Sequence, residues 1–109
     1  MIKIKIFREQ GLINGFKLSG HADSGPYGYD LVCAGVSAVS FGSVNAVTSL
    51  CKIELDINMN DEGGYLEVFI PHNISSEMKE KARLIFEAMV ISLITIENDY
   101  KQFITIKDK

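Results

Sequence analysis

Hydrophobic and polar positions alternate from the first residue. Ile2, Ile4 and Ile6 fall on one side of an extended chain and Lys3 and Lys5 on the other, which predicts a half-buried strand over Met1 to Phe7. Glu9-Gln10-Gly11 reads as a turn, and Leu12 to Ser19 as a second strand paired with the first. Residues 20 to 30 break the pattern. Gly20, Gly25, Gly28 and Pro26 make this a loop, and Asp30 is placed to cap the helix after it. That helix is predicted from about Leu31 to about Leu50. Its small residues, with Gly35 and Gly42 on nearly one face, imply close approach of another backbone and a position sandwiched between the sheet and a second helix.

Alternation returns over Lys52 to Met59, with Ile53, Leu55, Ile57 and Met59 on the core side. Asn60 to Gly64 is a turn, and Tyr65 to Ile70 comes back with Leu66, Val68 and Ile70 inward. Ser75 or Ser76 caps a second helix to about Asn98. It is apolar around most of its circumference, so it is buried on more than one side. One of those sides is expected to meet a partner subunit. Gln102 to Ile106 forms a last strand. The expected architecture is α+β: a mixed, mainly antiparallel five-stranded sheet with two helices, in the order ββαββαβ.

The 109 residues fit one domain spanning 1–109, and the 47% hydrophobic content suits a packed core. Net charge is -3 and the 11 basic residues are scattered along the chain, which argues against a nucleic-acid partner. The uncharged run from Leu31 to Cys51 is long enough to cross a bilayer. Its serines, threonine, asparagine and glycines favour a buried helix instead, so no membrane partner is expected. With no secretory h-region at the N-terminus, the expected location is the cytoplasm. Cys33 and Cys51 would stand roughly 27 Å apart along a helix, too far for a disulfide.

The chemistry concentrates at His21 and Cys33. A cysteine attacks as the thiolate, and an unperturbed thiol titrates near ~8.5. The first turn of a helix favours a negative sulfur, and its unpaired N–H groups suit an oxyanion. His21 stands twelve positions earlier across a glycine-rich loop, so contact is feasible though not demanded by the sequence; there it would take the thiol proton and return it to a leaving amine. Asp30 either caps the helix or orients His21. A charge on it opposes thiolate formation unless His21 is protonated. Two rivals are weaker. His21, Asp30, Cys33, Cys51 and His72 match no compact metal-ligand spacing, so neither metal nor cofactor is expected. The glycine loop lacks a basic residue between Lys17 and Lys52, and its Asp23 and Asp30 would repel phosphate. Cys51 reads as structural and His72 as an exposed turn residue.

Gly20-His21-Ala22, followed by Gly28-x-Asp30-x-Val32-Cys33-Ala34-x-Val36-Ser37, resembles the ribosomal-processing cysteine protease family called Prp. The length and the order of elements are similar as well. The resemblance implies a cytoplasmic bacterial endopeptidase, typically a homodimer, that removes the N-terminal extension of large-subunit ribosomal protein number twenty-seven. It implies Cys33 as nucleophile and His21 as general base and acid. Gly20, Ala22, Gly25 and Gly28 would belong to a loop that closes over substrate. The family cleaves after aromatic residues and before lysines, which the acidic loop suits. A non-catalytic module that binds a ribosomal or assembly partner is the alternative.

Overall fold

The computed structural model describes residues 1–20, 29–61 and 64–108, apart from the side chains of Tyr29 and Asp30. Its elements are β1 (Ile2–Glu9), β2 (Leu12–Ser19), α1 (Tyr29–Cys51), β3 (Asp56–Met59), β4 (Tyr65–Phe69), α2 (Ser76–Asp99) and β5 (Ile104–Asp108). The sheet runs β3-β4-β2-β1-β5. Neighbours are antiparallel except β1 and β5, which pair in parallel. The expected ββαββαβ order and mixed five-stranded sheet are therefore present.

The β1–β2 turn is Gln10-Gly11, with φ of 53° and 80°. Positive φ at both turn positions matches the right-handed twist of a hairpin. A β-bulge follows: Phe7 faces Gly15, but Arg8 faces Ile13, so Asn14 is the extra residue. The bulge explains how Ile13 and Phe16, three positions apart, are both fully buried. They join Ile2, Ile4, Ile6, Leu66 and Val68 in one core with Val32, Val36, Val44 and Val47 of α1 and Phe86, Met89, Val90 and Leu93 of α2. Phe16 and Phe86 meet edge to face at its centre, 5.4 Å apart and inclined at 70°. Ser75 is the cap of α2 and accepts a hydrogen bond from the Met78 N–H at 3.2 Å.

Three expectations fail for reasons of coverage. Ile57 and Met59 lie on the predicted side of β3 but are 47% and 57% exposed, because the core does not extend over this edge strand. Lys52 takes a left-handed conformation, φ 56°, and ends α1. Ile53 and Leu55 therefore reach the core from irregular chain, and β3 starts only at Asp56. Nor is α1 sandwiched. It buries Val32, Val36, Ser40, Val44 and Val47 along one stripe and exposes Ala34, Ser37, Ala38, Phe41 and Asn45. No backbone crowds its glycines: a Cβ at Gly35 would meet the Ile96 Cδ1 at 3.7 Å, and one at Gly42 would meet nothing.

Arg8 ties three elements together. Its Nη1 and Nη2 donate to Glu87 Oε2 and Oε1 at 2.7 and 2.9 Å, and its Nε and Nη2 donate to Asp108 Oδ1 and Oδ2 at 2.6 and 3.0 Å. The Arg8 hydrogen bonds hold the Glu87 carboxyl below its usual range against partial desolvation, and Glu87 then Asp108 raise the guanidinium pKa further. A lowered carboxylate pKa stabilises the fold above the unfolded value of ~4.3, and that contribution disappears as pH falls through the folded value. Glu87→Gln should cost about 1 kcal/mol at neutral pH, a modest figure because the Glu87 side chain is 41% exposed. Thermal melts of the two proteins should draw together as pH falls below the ordinary carboxylate range and converge once it passes the folded value.

Candidate active site

Helix α1 begins at Tyr29, two residues before the expected start. Asp30 is thus its second residue and not its cap, because the chain is already helical there. Cys33 is its fifth, so its own N–H falls within the helical ladder and is no oxyanion donor. The unpaired N–H groups lie one turn earlier. Helical side chains lean toward the N-terminus, which directs a sulfur at this position over that turn.

Cys33 is half-buried and, like Cys51, is in no disulfide. It lies on the wall of a cleft of about 290 Å³ at one end of the sheet. Ser37 and Phe41 follow Cys33 at helical spacing on the same wall. Leu18, Leu66, Tyr65 and Met59 supply the sheet side, and Asn60 and Gly64 come from the β3–β4 turn. The lining is mostly apolar, and Phe41 and Met59 are 40% and 57% exposed, so it presents hydrophobic surface to a ligand. The Tyr65 phenol is held above its usual pKa by desolvation first and by Glu67 next, and the register places it and Glu67 on the outer face of the sheet, so Tyr65 borders the cleft without directing its hydroxyl group's chemistry there.

Gly20 also lines the cleft. Its φ is 117°, its N–H donates to the Gly64 carbonyl at 3.0 Å, and a Cβ would run into the Met1 carbonyl oxygen. The end of β2 is thereby pinned at the cleft, and the next residue is His21. Gly20→Ala should cost about 1–3 kcal/mol through strain and collision, and should slow turnover as well. A lowered melting temperature with unchanged cleavage kinetics would show that the pin does not serve catalysis.

Of the residues singled out in the sequence, Cys33 and Gly20 share the cleft. His21, Ala22, Gly25 and Gly28 lie outside the described residues, as does the Asp30 side chain. His72 is exposed, as expected. Sequence reasoning missed Ser37, Phe41, Met59, Asn60 and Tyr65. The spacing of Cys33, Ser37 and Phe41 at four-residue steps was the available signal for the first two.

Residues 1–105 match the family model described as cysteine protease Prp. The chain belongs to this family. It is 44% identical over 103 residues to the ribosomal processing cysteine protease Prp of Bacillus subtilis, covering 93% of this chain and 91% of that one. It is 40% identical over 110 residues to the Prp of Staphylococcus aureus, with 100% of both covered. The solved structure of the S. aureus Prp in complex with a substrate peptide superposes with a TM-score of 0.86 at 39% identity, over 100% of both chains. The same enzyme in complex with a covalently linked product peptide gives 0.83 at 41% identity, again over 100% of both. As a Prp-family protein, the chain is a cysteine protease, and the non-catalytic module is set aside.

Proposed function

We propose that this Prp-family peptidase removes the N-terminal extension of large-subunit ribosomal protein number twenty-seven, with Cys33 as nucleophile and His21 as its base and acid. The observation that carries this is the cleft. It contains one cysteine, and Gly20 fixes the strand that leads directly into His21. Cys51, at the far end of α1, is not part of it.

In this reading His21 takes the Cys33 proton as the sulfur attacks the scissile carbonyl. The tetrahedral oxyanion collapses to a thioester, and His21 returns the proton to the departing amine. Water then hydrolyses the thioester. The covalently linked product peptide in the S. aureus enzyme supports a covalent route. The exposed apolar groups Phe41 and Met59 suit aromatic side chains before the cut, and the β3 edge beside them offers backbone hydrogen bonds to an extended peptide. The test is to incubate the purified protein with the extended ribosomal protein and read product masses. One cut that releases the extension is expected; an intact substrate would overturn the reading.

The same reading includes a cytoplasmic homodimer. Leu84 and Ile91, one heptad apart on α2, are 73% and 67% exposed. They flank a groove between the helices lined by Ala38, Gly42, Ala46, Ala88 and Ser92, where a second copy can approach closely. Ile91→Lys should sediment as monomer at micromolar concentration while the unsubstituted protein sediments as dimer. A monomer in both cases would exclude the dimer.

A further inference from the structure

The basic residues that look scattered along the chain are gathered by strand register. Lys5 on β1 lies directly opposite Lys17 on β2 and directly opposite Lys107 on β5. Lys3 occupies the next position on the same face of β1. This face is the reverse of the one that packs on the helices. The four lysines surround a shallow basin of about 310 Å³, with Ser19 and Thr105 between them. Among the described residues, none of the four is in an ion pair.

Like charges directly across a strand pair destabilise a sheet, so Lys5 between Lys17 and Lys107 is not explained by folding; the row ends at Glu67 on β4, which lies directly opposite Lys17 and balances that one lysine. A lysine on an edge strand guards against aggregation, which accounts for Lys107 on β5. It does not account for Lys5, on a strand paired on both sides and flanked by lysine on each. Aromatic rings continue the same face. Phe7 and Phe69 stack at 5.1 Å above Gly15, where a Cβ would lie 2.5 Å from the Phe69 ring. The Lys5 ammonium sits 5.4 Å from the Phe7 ring centroid. Both rings are half-exposed.

We propose that this outer sheet face binds single-stranded nucleic acid, with Lys3, Lys5, Lys17 and Lys107 on the phosphates and the Phe7–Phe69 pair stacking on an unpaired base. Charge complementarity selects a polyanion, and the neighbouring rings select one with flat bases to stack. An open sheet carrying both is a platform for splayed-out bases. The face lies across the sheet from the cleft, so it holds whether or not the cleavage assignment does. It runs against the expectation of no nucleic-acid partner, which rested on the order of residues along the chain.

The test is fluorescence anisotropy of a labelled oligouridine of about twelve nucleotides with the full chain, across a salt series. Binding at about 50 mM salt is expected, with a log–log salt slope of about −2 to −3 for three or four phosphates. Combined Lys5→Gln, Lys17→Gln and Lys107→Gln should weaken binding at least about tenfold and flatten the slope. That variant should melt close to the parent, since the lysine–lysine repulsion it removes offsets the Lys17–Glu67 attraction it gives up. Phe7→Leu should weaken binding roughly fivefold or more with the slope retained. No binding at low salt, undiminished binding by the triple variant, or capture by phosphatidylserine vesicles without capture of the oligonucleotide would each overturn the proposal.

Discussion

Under the proposed assignment, Cys33→Ala should leave the extended ribosomal protein uncut, with turnover lowered about 10⁴-fold or more, to the limit of mass-spectrometric detection. The size of the effect follows from the chemistry. A covalent route has no substitute for the missing sulfur, and the remaining cleft can only bind and orient the peptide. Stability should change little, by less than about 1 kcal/mol, because Cys33 is half-buried at a cleft wall and its removal opens no closed cavity. Cys33→Ser should be nearly as inactive, since a serine hydroxyl is a far weaker nucleophile than the thiolate the assignment calls for. Cleavage by the alanine variant at the parent rate would remove Cys33 from the mechanism.

Phe86→Ala carries the largest expected loss of stability. The Phe86 ring is wholly buried and meets Phe16 edge to face, so it joins α2 to the middle of the sheet. Truncation should cost about 3–5 kcal/mol from lost transfer energy and the residual cavity. That is a large share of the roughly 5–15 kcal/mol that holds a typical domain together. Urea titration should show a midpoint shifted sharply lower with little change in slope. Phe86→Leu should recover most of the loss, because it refills part of the space.

How far the chain could be read in advance depended on whether a feature is local. The alternation of Ile2, Ile4 and Ile6 is set by the strand itself, and the core contains all three. The hairpin turn, the Ser75 cap and the order of elements are also local signals, and all are present. Ile57 and Met59 were misjudged because alternation gives a side and not what covers it. The bulge at Asn14 was invisible because it depends on pairing with β1. The site divides in the same way. The place of Cys33 near the start of α1 was legible from its neighbours in sequence, and the structure sets it on the cleft wall. Met59, Asn60 and Tyr65 reach the cleft only because β3 ends and β4 begins beside the start of α1. The lysine row is the extreme case, since Lys5, Lys17 and Lys107 become neighbours only through the strand register.

The parallel pairing of β1 with β5 bears on how the molecule is made. Residues 2–6 receive their hairpin partner almost at once, but their other flank waits for residues 104–108. During synthesis on the ribosome, every intermediate length therefore exhibits a bare, isoleucine-rich ribbon. Maturation has to finish after translation has passed the final strand. A prematurely released product would be adhesive and a natural target for quality control.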